Sequence, residues 1–309
     1  MKNDETIIIG AGPAGASAAI YLARFYHPVT LIDAKDKVHG RTSMATHLEN
    51  FLGHTNPVSG KEFLTRIDEQ LLRFPIKRVN GKVTKAIKKD DRFLITTDND
   101  EKYNAKYLII AVGLSDNMPE IEGLDPYYDT AIYHCLVCDW FQNSDKKIAV
   151  ISNTDDGIET ALEINSMHRP PALVVVPSEN NITFSGEMIE KAKADNIPVY
   201  LSPLSQLEGK DGGLSSIILA DNTKISIEVL FTRLGYKRFD QFLDEGSINI
   251  ERNENGFIEV NFRTFESSIQ NLFAIGPCNN GPDQAIIAGG EGALAAIEIH
   301  ERILRDNGI

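Results

Sequence analysis

Cysteine, tryptophan and positive charge are all scarce in this sequence. Three cysteines and one tryptophan occur in 309 residues. Two of the cysteines are spaced C-x-x-C (Cys135, Cys138) and Cys278 stands alone. Such a pair reads as redox or metal chemistry rather than as a structural staple. A structural zinc site takes four ligands, which three cysteines and scattered histidines would supply only by accident, so no metal is expected. Long apolar runs are missing too. Stretches such as Leu108 to Val112 and Leu173 to Val176 fall far short of the ~20 residues of a bilayer span. The polar, acidic opening Met1 to Thr6 has the form of neither a signal nor a transit peptide, so a cytoplasmic location and no membrane partner are expected. Lysine and arginine number 31 against 44 acids, a net charge of −13, which makes nucleic acid a poor partner.

The deficit of positive charge is uneven. Residues 1–114 carry 17 Lys/Arg and 13 Asp/Glu, whereas residues 115–309 carry 14 and 31. A chance imbalance of solvated surface explains this as well as a docking face does. Length allows two domains, and 42% hydrophobic with 24% charged residues is ordinary for a globular enzyme.

The pattern then spells strand, glycine turn, helix, strand. Ile7–Ile9 reads as a buried strand, Ala16 to Phe25 as an Ala-rich helix and Val29–Ile32 as the next strand, ending at Asp33. Between them, Gly10-Ala11-Gly12-Pro13-Ala14-Gly15 is a G-x-G-x-x-G turn in the context that motif requires. Gly10 permits the tight turn, Gly12 lets backbone approach a pyrophosphate, and Gly15 lets helix and strand pack closely. The helix N-terminus offers N–H groups and a positive dipole end. Asp33, 23 positions after Gly10, is placed to accept from a ribose hydroxyl. Arg92 to Tyr107 reads as antiparallel strands turning at Asp98 to Asp100, and Tyr107–Ala111 as a further buried strand closed by Gly113.

A second unit begins at Lys147, with a strand Ile148–Ile151, a helix Asp156 to Met167 and a strand Ala172–Val176. Leu272–Gly276 reads as a last strand and Ala288 to Leu304 as a closing helix. The expected fold class is α/β, with two doubly wound dinucleotide-fold (Rossmann-like) domains. The first is discontinuous, at 1–115 and 240–309, with 116–239 inserted.

The segment Ile7 to Asp33, Ala111-Val112-Gly113, Cys135-Leu136-Val137-Cys138-Asp139 and Asp283-Gln284-Ala285 resemble, in order and spacing, the low-molecular-weight thioredoxin reductase family. The resemblance covers essentially the whole chain. It implies FAD in the first domain, with Gly40 and the Glu49-Asn50-Phe51 segment near the flavin. It implies that Gln284 and Ala285 pack beside the ring system, and that the protein is a homodimer with thioredoxin or a similar disulfide as partner. It also implies that Cys138 faces the flavin, Cys135 attacks the substrate, and Asp139 moves protons. In general one thiol of such a pair attacks a disulfide and the other resolves the mixed intermediate.

Four departures matter. The family carries Gly-Asp after its last strand, where this chain has Gly276-Pro277; proline offers neither carboxylate nor N–H, leaving Asp283 or a backbone group to substitute. Cys278 just beyond reads as an inert small hydrophobe. A glycine follows the family's Asp; here Trp140 and Phe141 follow, with Trp140 either near the site or simply packed. His134 beside Cys135 reads as a bystander more readily than as a base. In the second domain, Ser152-Asn153-Thr154-Asp155-Asp156-Gly157 replaces the glycine turn, and Asp155 and Asp156 would repel phosphate. No arginine follows the next strand to take a 2′-phosphate, though Glu179 is suited to a plain ribose.

These departures point to a branch that does not use pyridine nucleotide, with ferredoxin as donor. A plant-type ferredoxin near −400 mV and thioredoxin near −270 mV leave about 130 mV, or about 6 kcal/mol for two electrons. Lys77, Arg78, Lys82, Lys85, Lys88, Lys89 and Arg92 are the candidate docking cations for an acidic carrier. Two other readings stand beside this one. One is a dithiol oxidase passing electrons to oxygen, against which Asp139 argues, because that branch tends to carry His there. The other is a non-catalytic, flavin-binding redox sensor. A flavin reductase feeding ferredoxin from NADPH fits poorly, since it lacks the dithiol and needs the second-domain glycines.

Overall fold

A computed structural model describes residues 2–34, 40–121, 123–128, 130–167, 172–178 and 180–309, with the side chains of residues 2–4 left out. It divides into two compact units, Met1–Ser115 with Lys237–Ile309, and Asp116–Tyr236.

In the first unit β1 (Lys2–Ile9), α1 (Pro13–Arg24) and β2 (Val29–Asp33) form the opening strand–helix–strand. Helix α2 (Arg41–Met44) and α3 (Gly60–Leu71) follow, then β3 (Lys77–Asn80), β4 (Val83–Lys89), β5 (Arg92–Thr97) and β6 (Lys102–Ile110). The sheet order is β3-β2-β1-β6-β5-β4, and the strand Leu272–Ala274 pairs with β6. The β1, β2, β3 and β6 pairings are parallel, whereas β4, β5 and β6 form an antiparallel meander. Parallel strands covered on both faces need apolar side chains all along, and Ile7, Ile8, Leu108, Ile109, Leu272 and Phe273 are all fully buried. The antiparallel strands read at Arg92 to Tyr107 are present as β5 and β6, but the separate strand read at Tyr107–Ala111 is not: β6 runs unbroken from Lys102 to Ile110. Tyr107 is buried within it rather than ending one strand and starting another.

Helix α1 and the C-terminal helix begin a turn earlier than their apolar pattern suggests. Helix α1 starts at Pro13, whose fixed φ and missing N–H suit a first helical position, and the C-terminal helix runs Ala285–Asp306. The two pack through small residues. A Cβ on Gly292 would lie 2.2 Å from the Ala14 carbonyl oxygen and 3.0 Å from the Ala18 nitrogen, so the C-terminal helix approaches α1 at backbone contact.

The second unit holds a five-stranded parallel sheet. Its strands are β7 (Ile132–Tyr133), β8 (Ile148–Ser152), β9 (Leu173–Val175), β10 (Val199–Tyr200) and β11 (Val229–Arg233), in the order β10-β9-β8-β11-β7. A three-stranded antiparallel sheet, Leu204–Lys210, Gly213–Leu219 and Lys224–Ile225, packs into the same core. Helices α4 (Leu136–Asn143), α5 (Asp155–Met167) and α6 (Gly186–Ala194) complete it. Both units are doubly wound α/β folds, and in such folds ligands sit at the carboxyl ends of the strands. Among the described residues, no helix is long and apolar enough to cross a membrane.

Gly292→Val forces two methyl groups into the α1 backbone and should cost about 1–3 kcal/mol, typical of overpacking. Urea unfolding followed by circular dichroism reads this as a lower midpoint at unchanged slope.

Candidate functional site: a dinucleotide cradle and a disulfide

A cavity of about 610 Å³ opens at the carboxyl end of β1 in the first unit. Its wall begins with Gly10, Gly12, Pro13 and Ala14, continues through Asp33 and Gly40, and is completed by Gly113, Gln284 and Ala285. Gly15, Asn50 and Gly276 lie off the wall. The volume falls within the ~300–1,000 Å³ usual for small-molecule sites.

Each glycine of the turn meets a different constraint. Gly10 has φ +103, and a Cβ there would lie 2.3 Å from the Ala111 oxygen. A Cβ on Gly15 would lie 1.9 Å from the Gly10 oxygen. Protein packing therefore dictates both. Gly12 differs: its φ is −66, and a Cβ would meet no protein atom within 4 Å. Nothing in the polypeptide forbids a side chain at Gly12. What a side chain would fill is the space in front of the α1 N-terminus, where backbone N–H groups and the helix dipole favour phosphate. Asp33 at the end of β2 accepts from the Ala11 N–H at 3.3 Å. Gly113, with φ +62, and Gly40, the N-cap of α2, likewise leave open space where a Cβ would stand. The arrangement fits FAD: the open space before Gly12 and the Ala14 N–H at the α1 N-terminus suit the pyrophosphate, Pro13 offers no donor, and the Asp33 carboxylate suits a ribose hydroxyl.

At the far wall, Asn50 Nδ2 donates to Gln284 Oε1 at 2.9 Å, which joins the Glu49 to Phe51 segment to the start of the C-terminal helix. Pro277 lines the cavity. The Asp283 carboxylate, considered above as a substitute for the family's Asp, is ion-paired with Arg41. The Gly276 N–H instead donates to Glu291 Oε2 at 2.6 Å, and Asn279 Nδ2 donates to the same oxygen at 2.8 Å. Glu291 is 5% exposed. Burial pushes its carboxyl above the usual range, while these two hydrogen bonds pull the other way. Sequence reasoning missed Glu291 as the anchor of this loop, and missed Arg41, Lys61 and Lys82 on the cavity wall. An acid inside the Ala/Gly-rich first half of that helix was the signal for Glu291. Arg41 directly follows Gly40 but belongs to no motif.

Cys278 is buried, and burial first, then Asp240 and Glu291, push its thiol up to about 12. It is a packed, protonated thiol, not a nucleophile.

In the second unit Cys135 and Cys138 form a disulfide with Cα atoms 5.2 Å apart. Cys135 is the N-cap of α4, and its Sγ accepts from the Cys138 N–H at 3.1 Å. Both cysteines and Asp139 are half-buried. The helix N-terminus favours negative charge on the N-cap sulfur. Asn143 Nδ2 donates to the Asp139 carbonyl at 2.7 Å. On the outer face of α4, Val137 is 69% and Phe141 83% exposed. Trp140 packs against the core of this unit. His134 is bonded through Nδ1 to the Thr232 hydroxyl on β11 and lies beside the Tyr128 ring.

The turn between β8 and α5 keeps only one glycine role. A Cβ on Gly157 would lie 2.3 Å from the Ser152 Cβ, so helix-to-strand packing is preserved. The phosphate face is filled by the chain itself. Ser152 Oγ accepts from the Thr154 N–H at 3.2 Å and donates to the Thr154 oxygen at 3.1 Å. The Thr183 N–H donates to the Asn153 oxygen at 2.8 Å, and the Ser185 N–H to Asp155 Oδ1 at 2.8 Å. Asp155 and Asp156 occupy the first turn of α5. Glu179 lies outside the described residues. Among the described residues no group of three or more His, Cys, Asp or Glu is arranged to hold a metal.

Fold and site together define a two-unit dinucleotide-fold flavoprotein with a C-x-x-C disulfide. The chain belongs to the pyridine nucleotide-disulphide oxidoreductase family, which it matches over residues 4–292. It is an FAD-dependent disulfide oxidoreductase of the thioredoxin reductase type. It is 28% identical to thioredoxin reductase of Helicobacter pylori over 305 residues, covering 96% of this chain and 97% of the relative. An oxidoreductase structure from Agrobacterium tumefaciens superimposes with a TM-score of 0.81 at 26% identity, covering 99% of each chain. Thioredoxin reductase from Streptococcus pyogenes shares the fold, with a TM-score of 0.87 at 24% identity over 98% of this chain and 99% of that one.

Two outcomes follow from this geometry. Gly12→Val should leave thermal unfolding of the apoprotein unchanged yet abolish FAD retention, read as loss of the ~450 nm flavin band when the cofactor is absent; unchanged FAD content refutes the reading of Gly12. With a chromogenic disulfide reagent, the native oxidised protein should release no fast thiol, and unfolding should expose one, Cys278.

Proposed function

We propose that the chain is a thioredoxin reductase-like enzyme that does not draw on NADPH. It receives electrons from a reduced ferredoxin-type carrier and delivers them through Cys135 and Cys138 to thioredoxin or a similar protein disulfide. The self-bonded β8–α5 turn carries the proposal. A pyrophosphate there would have to displace the Ser152 hydroxyl from Thr154 and break the Ser185 N–H bond to Asp155. It would also face Asp155 and Asp156. Two unit charges ~4 Å apart repel by about 1 kcal/mol even in water, which offsets the ~0.3–1 kcal/mol a helix N-terminus contributes.

FAD, when bound, converts single-electron delivery into two-electron dithiol chemistry. Opening the Cys135–Cys138 disulfide consumes two electrons and two protons, with Asp139 as the residue that moves a proton. The Cys135 thiolate then attacks the partner disulfide, forming a mixed disulfide and releasing one partner thiol. Cys138 attacks the Cys135 sulfur, which releases the second partner thiol and restores the internal disulfide. The exposed Val137 and Phe141 flanking the sulfurs suit a protein partner better than a small dithiol. Likeness to thioredoxin reductases also favours a homodimer.

Support from the basic segment is narrower than its composition suggests. Arg78 is paired with Asp68, Lys88 donates to the Gln270 oxygen, Arg92 bonds Asn104 and Lys77 lies over the Tyr103 ring. Lys82, Lys85 and Lys89 are exposed and form the remaining face for an acidic carrier.

Anaerobic titration tests the proposal. Reduced ferredoxin should bleach the flavin band and then yield two new thiols, those of Cys135 and Cys138, while NADPH and NADH leave the band unchanged. Fast bleaching by NADPH, or no thiol formation with any ferredoxin, overturns it.

A further inference from the structure

Arg41 opens α2 directly after Gly40, and both line the first unit's cavity. Its guanidinium is ion-paired with the carboxylate of Asp283, which lines the same cavity just ahead of the C-terminal helix. The two side chains are about one-third exposed, at 33% and 34%. The Asn50–Gln284 bond ties a second segment, off the wall, to the start of the same helix.

The charge on this wall needs explaining. Among the described residues its carboxylates are Asp33, Asp68 and Asp283, and its cations are Arg41, Lys61 and Lys82. Asp68 is neutralised by Arg78. Lys61 and Lys82 are exposed, and a lysine ammonium on its flexible stem is strongly hydrated. The α1 N-terminus supplies roughly half an elementary charge, whereas the pyrophosphate of FAD brings two negative charges. Arg41 is the one wall cation among the described residues that an ion pair fixes in place.

We propose that Arg41 binds the cofactor's pyrophosphate and that Asp283 is a positioning residue that holds the guanidinium toward the cavity. A planar fork of donors can serve a carboxylate on one edge and a phosphate on the other. Asp283 then acts in opposite senses. With Arg41 present it aims the cation. Without Arg41 it is a bare anion beside a dianionic ligand.

The test is binding by the apoprotein, with FAD followed by fluorescence quenching and ADP by calorimetry, at low and high salt. Arg41→Ala should weaken both ligands about tenfold or more, as loss of a charge-assisted hydrogen bond does, and flatten the salt dependence. Arg41→Lys should weaken them less, because an ammonium cannot reproduce the fork. Asp283→Asn should weaken binding a few-fold in the parent but strengthen it in the Arg41→Ala background. FAD and ADP affinities within twofold of the parent in both Arg41 variants overturn the proposal. So does an Asp283→Asn effect of the same sign in both backgrounds, or a loss confined to FAD, which would put Arg41 on the flavin. If Arg41→Ala fails to fold by circular dichroism, Arg41→Lys and Asp283→Asn decide the matter on their own.

Discussion

The contact between the Gly10 carbonyl and the backbone of Gly15, with Ala111 pressed against Gly10 from β6, sets the geometry of the first unit. Strand, turn and helix approach so closely there that Cβ atoms are excluded at both glycines. The approach aims the α1 N-terminus into the cavity, places Pro13 at the first helical position and brings Asp33 beside Ala11. The C-terminal helix then packs on the same helix through Gly292 and carries Gln284 and Ala285 to the opposite wall. Each later feature of the cradle inherits its position from that one close approach.

The second unit shows which part of this arrangement is needed for folding and which for binding. Gly157 retains the helix-to-strand contact, so the strand–turn–helix forms as before. The stretch matching Gly10 to Ala14 instead carries Ser152, Asn153, Thr154, Asp155 and Asp156, and its polar groups close on one another and on Thr183 and Ser185. The helix-to-strand contact of the last glycine is thus separable from the rest of the motif. A chain can lose the turn's other glycines and keep its fold.

The sequence made legible whatever is local and periodic. The turn, the parallel strands and the C-x-x-C pair all lie within short windows whose spacing has a steric meaning. The inert reading of Cys278 rested on the usual behaviour of a free cysteine, and the residue is buried. What escaped the sequence depends on residues far apart. Glu291 anchors Gly276 only because the C-terminal helix folds back under its own preceding loop. Arg41 meets Asp283 across more than 240 positions. Of the apparent basic patch, Lys88 is engaged by the distant Gln270, while Arg78 and Arg92 are engaged by Asp68 and Asn104, 10 and 12 positions away.

The discontinuity of the first unit bears on how the chain matures. The walls of its cavity come from residues up to Leu114 and from Phe239 onward, with the whole of Asp116–Tyr236 between them. During synthesis, at ~5–20 residues per second, the glycine turn leaves the ribosome on the order of ten seconds or more before the strand Leu272–Ala274 and the helix that must cover it. The inserted unit has all its strands early enough to fold first. FAD therefore has no complete site to enter until translation is nearly finished, and the opening third of the chain must wait with a sheet that lacks its Leu272–Ala274 strand and with an uncovered helix face.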